Sequence, residues 1–415
     1  MPRIAILSLH TSPLAALGGS KAGGMNAYIR EVGTALGAAG WEIDIFTRRD
    51  DTVAPLVQAF APGARVITID AGPATTLDPE DLAPLIDEFA AGVEVWRQHE
   101  DVAYDLVHSH YWLSVAAGEL LARRWGVPHL AMFHTLAEVK LRARASEHEP
   151  RVRIETERVL VHAVDRIVAA TQHERQLLRQ LYRVPPDRVA VIPLGVDLAA
   201  FAPRPRVEAR DAVSERGIAL EAGQRVLLAI GRLEPLKGFD ILVRALAQLT
   251  VAEEVVLLIA GGDARSEPER ARLEAVAREV GVEDRVRFLG AVLHEQLPAL
   301  YNAADVVVVP SFYESFGLVA LEAMASAVPV VASRVGGLVA TISDGRTGYL
   351  VPWRCPEPFA EKIELLLRNE PLRRALGAAG RASMEQYAWA TVAERLGGLY
   401  DEVLGRRPLD VAAAG

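Results

Sequence analysis

Residues 304–332 read ADVVVVPSFYESFGLVALEAMASAVPVVA. The apolar run that ends at Pro310 has the length of a buried strand. A loop carrying Glu314 follows, then a segment with helical spacing that carries Glu322, then a second apolar run from Val328 to Ala332. Strand, loop, helix and strand in about thirty residues make the repeating unit of a parallel sheet. The loop lies at the carboxyl end of a strand, which is where open α/β sheets bind ligands. The first N–H groups of the following helix have no partner within it and suit an anion or a hydroxyl. A carboxylate in that loop is an odd choice for a purely structural acid, so Glu314 and Glu322 mark a candidate binding site.

The same alternation extends outward in both directions. Strand-like runs occur at Ile4–Leu9, Ile43–Thr47, Val66–Ile69, Leu106–His110, Leu130–His134, Ile167–Ala170 and Val189–Ile192. A second series comprises Val226–Ile230, Val255–Ala260, Val286–Leu289, Val306–Val309, Val328–Ala332 and Tyr349–Val351. Short buried strands separated by helices predict parallel sheets, and two series predict two doubly wound α/β domains. A chain of 415 residues also exceeds one ordinary core. The break falls near Gly195–Pro205, in LGVDLAAFAPRPRVEARDA, where glycine and prolines interrupt the periodicity. The expected division is an N-terminal domain over 1–198, a second domain over 199–385 and a helical tail over 386–415. Trp389, Leu396, Leu399 and Tyr400 give the tail an apolar set. Pattern alone leaves open whether the tail caps the second domain or crosses back to brace the first.

Bulk properties exclude several classes. A net charge of −9 is the wrong sign for a general nucleic-acid binder. No apolar run spans a bilayer, and PRIAILSLH enters a strand pattern without signal-peptide order. Cys355 is the single cysteine, so an internal disulfide and a cysteine metal cluster are excluded. A cytoplasmic protein is expected. Lysine occurs only at positions 21, 140, 237 and 362.

Three further segments carry chemistry. In AIGRLEPLKGFD, Arg232 and Lys237 share a loop after a strand, where a guanidinium fork and a mobile ammonium suit a diphosphate. In HTSPLAALGGSKAGGMNAYIREV, Gly18, Gly19, Gly23 and Gly24 lie between the first strand and a helix expected near Met25. Such a turn lets backbone approach an anion, although the spacing is neither the dinucleotide fingerprint nor a Walker loop. In LVHSHYWLS and AMFHTLAEVK, His108 and His110 share a strand face, without a third metal ligand at suitable spacing. His134 ends a strand and precedes Thr135. The stretch KLRARASEHEPRVRIETERVL mixes Lys140, Arg142, Arg144, Arg151 and Arg153 with Glu147, Glu149, Glu155 and Glu157; its default reading is a solvated face. The alternatives are a phosphate clamp or a membrane-surface patch, and the interspersed acids disfavour membrane association. No Asp-x-Asp pair suits a divalent ion, so no metal and no essential cofactor is expected.

Taken together, GRLEPLKG, ESFGLVALE and IPLGVD resemble the family 4 retaining glycosyltransferases, and the resemblance runs from Ile4 to about Tyr400. Within that family, LHTSPLAALGGSKAGGMNAYI, HSHYWLS and HTLAEVK are similar to the inositol 3-phosphate N-acetylglucosaminyltransferases of mycothiol biosynthesis. Sucrose-phosphate synthases share the plan at greater distance. The resemblance implies a GT-B fold, with two Rossmann-like domains facing a central cleft, and a nucleoside diphosphate sugar (UDP-sugar) donor. It implies donor contacts from Gly23, Gly24, Arg232, Lys237, Glu314, Phe316, Gly317, Leu318 and Glu322, with Glu322 on the ribose and Glu314 on the transferred sugar. Arg232 and Lys237 would carry the leaving-group charge, and His134 would lie near that sugar. His10, Asn26, Tyr111, Thr135 and Arg153 match acceptor-contacting positions. The relatives' acceptor-phosphate lysine is replaced here by Pro79, and Lys21 is a candidate substitute. A homodimer is left open. A nucleotide-sugar 2-epimerase on the same fold and a sucrose-phosphate-synthase-like transfer are the alternative activities.

Overall fold

The computed structural model describes residues 2–15, 24–143, 148–215, 217–221, 223–250, 255–262 and 266–405. They form two compact units. Among the described residues, unit 1 comprises those within 2–15, 24–193 and 389–405, and unit 2 those within 194–388.

In unit 1 the strands are β1 (Arg3–Leu7), β2 (Glu42–Arg48), β3 (Val57–Ala61), β4 (Ala64–Ile69), β5 (Leu106–His110), β6 (His129–Met132), β7 (Arg166–Ala169) and β8 (Val189–Val191). They form one sheet in the order β3-β4-β2-β1-β5-β6-β7-β8. All neighbours are parallel except β3 and β4. The central strands are buried on both faces, which is why they read as unbroken apolar runs. Phe46, Phe89, Trp96, Trp112 and Phe133 anchor the core. The edge strand β3 escapes sequence reading because VQAFA is mostly exposed and has no apolar run.

Unit 2 holds β9 (Arg225–Ile230), β10 (Val255–Ala260), β11 (Val286–Gly290), β12 (Val306–Val309), β13 (Val330–Ser333) and β14 (Gly348–Val351). Its sheet is wholly parallel, in the order β11-β10-β9-β12-β13-β14. The strand order reverses between β1 and β5 in unit 1 and between β9 and β12 in unit 2. Doubly wound sheets open a ligand crevice at such switch points.

Several strand ends differ from expectation, β1 stopping at Leu7 rather than Leu9 among them, and two have a clear cause. β6 stops at Met132 because His134 takes a left-handed backbone, φ 60°, which no strand accommodates. β13 starts at Val330, since Pro329 has no N–H to give and Ala327 is also left-handed.

The helix Trp389–Val403 joins unit 1 and packs on the helix Gly24–Ala38. Leu396 and Tyr400 are fully buried. The Tyr400 hydroxyl lies 2.7 Å from His108 Nδ1, and its ring meets Trp41 edge-on. Of the two placements the pattern left open for the tail, this is the one that braces the first unit. Within unit 2 the Val196 N–H donates to the Tyr387 carbonyl at 2.8 Å, and Val196 and Ala388 form a parallel bridge.

Candidate active site

The unit 2 switch point places three expected residues on two neighbouring loops. After β9 the chain turns at Gly231 and makes a short 3-10 turn, Pro235–Lys237. Gly238 follows with φ 64°, and a Cβ there would collide with the Pro310 carbonyl oxygen. After β12 the loop bearing Glu314 is fixed from both sides: the Phe312 N–H donates to Leu236 O at 2.8 Å, and the Gly337 N–H donates to Glu314 O at 2.9 Å. Glycine at 336 and 337 allows that approach, since a Cβ at either position would strike the Glu314–Phe316 backbone. The result is a contact between Lys237 Nζ and Glu314 Oε2 at 2.8 Å, with both side chains largely buried. Arg232 is brought to neither; it is mostly exposed and pairs with Glu234 at 3.0 Å.

Gly317, at φ 96°, precedes the helix Leu318–Ala325, whose first N–H groups lack intrahelical partners by position. Phe316 is buried, edge-on to Tyr387. Glu322 lies on the same helix and is also buried. Its Oε2 accepts from the Tyr301 hydroxyl at 2.6 Å, and His294 Nε2 stands 3.2 Å from Oε1. Sequence reading missed Tyr301 and His294. Their spacing of seven on a helical stretch was the available signal, because it puts both on one face.

The unit 1 switch point gathers a second group at the carboxyl ends of β1, β5 and β6. His10 and Tyr111 rings lie 4.5 Å apart, and the Arg153 guanidinium sits 4.9 Å from the Tyr111 ring centre. Arg153 Nη2 donates to the Thr135 carbonyl at 2.9 Å and to its hydroxyl at 3.0 Å. Asn26 Nδ2 donates to Thr11 Oγ1 and to the Ser12 carbonyl, each at 2.7 Å. His134 Nε2 meets His110 Nδ1 at 2.9 Å, and Tyr28 lies edge-on to both rings. Burial lowers the pKa of both imidazoles, His134 to about 3, so the pair is neutral and one ring donates to the other. His110, considered above only as a metal ligand, is thus the partner of His134.

The reading of 140–160 as a solvated face fails at its centre. Arg151 is exposed, but Arg153 and Glu157 are buried, and only 5% of the Glu149 side chain is exposed. Gly24 is exposed at the first position of its helix. Pro79 opens a four-residue helix, Pro79–Leu82, and supplies no charge. Gly23 and Lys21 lie outside the described residues, as do Gly18 and Gly19. Among the described residues no group of three His, Cys, Asp or Glu could hold a metal ion, and no helix is long and apolar enough to cross a membrane.

Two doubly wound, largely parallel units, each with polar side chains at its switch point, are the architecture of the GT-B glycosyltransferases. Residues 22–200 match the family described as Glycosyltransferase Family 4, and residues 213–383 match Glycosyl transferases group 1. The chain belongs to the family 4 glycosyltransferases. It is 43% identical over 413 residues to the D-inositol 3-phosphate glycosyltransferase of Xylanimonas cellulosilytica, covering 98% of each chain. The sucrose-phosphate synthase from Thermosynechococcus elongatus superposes with a TM-score of 0.89 at 34% identity, over 98% of this chain and 100% of that one. Anabaena HepE, in complex with UDP and glucose, matches at TM-score 0.77 and 20% identity over 97% and 100%, and shows the fold alone.

Proposed function

We propose that the protein transfers a hexose or N-acetylhexosamine, with retention, from a UDP-sugar to a small phosphorylated polyol such as inositol 3-phosphate. The observation that carries this reading is the Lys237–Glu314 pair at the unit 2 switch point, backed by the buried, hydrogen-bonded Glu322. Lys237 and Arg232 would take the donor diphosphate, and Glu314, released from Lys237, would accept hydroxyls of the transferred sugar. The Phe316, Gly317 and Leu318 N–H groups would assist it. Glu322, already oriented by Tyr301, would receive the ribose hydroxyls. Gly24 would approach the diphosphate, and Gly23, Lys21 and a homodimer remain parts of the same reading.

In the reaction the bond from the sugar C1 to the diphosphate oxygen breaks as the acceptor oxygen bonds to C1 on the same face. The acceptor proton passes to the departing phosphate oxygen. No carboxylate nucleophile is needed, so stabilising the leaving charge is the main catalytic task. His134, neutral and held by His110, would orient the transferred sugar. His10, Asn26, Tyr111, Thr135 and Arg153 would hold the acceptor. A reducing, cytoplasmic setting fits the use of a single cysteine.

A second reading, transfer to a sugar phosphate, is favoured by the likeness to sucrose-phosphate synthase and by Pro79. A turnover screen separates them, crossing UDP-sugars with inositol 3-phosphate, fructose 6-phosphate and their unphosphorylated parents. Turnover of inositol 3-phosphate above the rest is expected; transfer to fructose 6-phosphate alone would establish the second reading. Epimerised donor without transfer would overturn both.

A further inference from the structure

Four arginines of unit 2 gather around one carboxylate at the amino ends of β9 and β12. Arg225 opens β9, and Asp305 stands just before β12. Arg206 and Arg210 lie four apart on the helix Arg206–Ser214, so they share a face. Arg373 comes from the helix Glu370–Ala382. The Asp305 carboxylate is buried and is the shared acceptor. Its Oδ1 accepts from Arg206 Nη1 at 2.6 Å and from Arg225 Nη1 at 3.2 Å. Its Oδ2 accepts from Arg206 Nη2, and from the Val226 N–H at 2.8 Å. Two carboxylate oxygens with two donors each have no lone pair left to offer. Arg373 Nη2 comes no nearer than 3.6 Å, beyond hydrogen-bond distance, while its Nη1 donates to the Leu366 carbonyl at 2.9 Å. Arg210 Nη2 donates to the Gln224 carbonyl, but Arg210 Nε is buried without a partner, as is Arg206 Nε.

The charges of this cluster do not balance. Four guanidiniums, which do not deprotonate in proteins, face Asp305. Glu370, the other acid whose field reaches Arg373, pairs with Arg374 at 2.6 Å. Burial, and after it the fields of Arg206 and Arg225, lower the pKa of both Arg210 and Arg373. Like charges crowded in a partly desolvated site are unfavourable unless an anion shares it. Arg206 and Arg225 are each 34% exposed and leave a way in from solvent. We propose that the cluster is a binding site for a phosphate group, separate from the donor site. It lies at the other edge of the same sheet, the length of β9 or about 17 Å away. A phosphate carries about −1.5 to −2 at neutral pH and offsets most of the excess. Its oxygens match guanidinium forks, and they supply the Arg210 and Arg225 guanidiniums with the acceptors that Asp305 lacks. The site also grips the two strands of the unit 2 switch point. The Asp305 N–H donates to the Val226 carbonyl at 2.8 Å while its carboxylate takes the Val226 N–H. Those strands lead, at their carboxyl ends, to the loops of Lys237 and Glu314.

The test is calorimetric titration of the intact protein, and of Arg210→Gln and Arg225→Gln, with inorganic phosphate, pyrophosphate and fructose 6-phosphate. Ionic strength is held fixed, and saturating UDP occupies the donor site. Each substitution should raise the phosphate Kd about tenfold, the loss of one charge-assisted hydrogen bond, and leave UDP affinity within twofold of the parent. Pyrophosphate binding more tightly than phosphate would identify a diphosphate as the ligand. Equal affinities for phosphate and fructose 6-phosphate would identify the phosphoryl group of a monoester. A phosphate Kd within twofold of the parent in both variants would put the bound phosphate elsewhere and overturn the proposal, as would no binding at millimolar phosphate. Should a variant fail to fold, crystals of the parent soaked in tungstate decide. Anomalous density between Arg210 and Arg225 supports the site, and its absence overturns it. No turnover is measured, so the outcome is independent of the proposed reaction.

Discussion

Lys237 owes its position to glycine at 238 and to the hydrogen bond between Phe312 and Leu236, so its ammonium meets Glu314 as a built feature of the two loops. Replacing Lys237 by alanine should lower kcat by about 10²–10³, or roughly 3–4 kcal/mol in the barrier, the scale of losing one preorganised contact to a developing anion. Steady-state rates at saturating donor check this, and a variant near the parental kcat would remove Lys237 from the catalytic set. Lys237 and Glu314 were each legible as residues of loops that follow strands in an alternating pattern, but their contact with each other was not expected. The surroundings of Glu322 were legible only in part: a spacing of seven puts His294 and Tyr301 on one face, but they lie 28 and 21 residues upstream of Glu322 and only the folded unit joins them to it. Arg153 misled for a physical reason. Glu149, Arg153 and Glu157 repeat every four residues, which is also the signature of an exposed charge ladder. The hydrogen bonds from Ala137 and Tyr182, invisible in the local pattern, decide between the two.

Among the elements, the helix Gln172–Tyr182 begins with a reciprocal cap: Thr171 accepts from the Glu174 N–H, and Glu174 Oε2 accepts from the Ala170 N–H at 2.7 Å. Burial pushes the Glu174 carboxyl up to about 7, against the pull of the Ala170 N–H. Because this lies above the ordinary carboxylate value, the unfolded chain releases the proton first. The stability the group contributes is fully present below about pH 4 and is lost as pH rises through about 7. Glu174→Gln keeps the acceptor oxygen and removes the charge. It should match the parent in thermal melts at pH 4–5 and exceed it by about 1–2 kcal/mol at pH 8; equal stability at both values would contradict the shift. Buried parallel strands were legible because both faces demand apolar side chains. β3, exposed at an edge, carries no such demand, and the left-handed His134 sits in a tight turn closed by the Thr135 N–H donating to the Phe133 carbonyl at 2.7 Å, which an apolar pattern does not mark.

At the scale of the molecule, unit 1 is assembled from distant parts of the chain, and the hydrogen bond between His108 and Tyr400 spans 292 positions. His108 Nε2 is buried without a partner. Tyr400→Phe would leave Nδ1 without its partner as well, at a cost of about 1–3 kcal/mol. A melting temperature lowered by several degrees is expected, and an unchanged one would show that the tie contributes nothing. The doubly wound character of both units was readable from strand alternation. The home of the tail helix was not, since an amphipathic helix specifies an apolar partner without specifying which one.

That same helix sets an order of events during biosynthesis. Residues 194–388, 195 positions, must leave the ribosome before Trp389–Val403 can reach Tyr28 and His108. At roughly 5–20 residues per second, unit 1 waits about 10–40 s with its Gly24–Ala38 helix uncovered. The nascent N-terminal half is therefore the vulnerable species, and chaperone demand should fall on it rather than on unit 2, whose described residues all lie within 194–388.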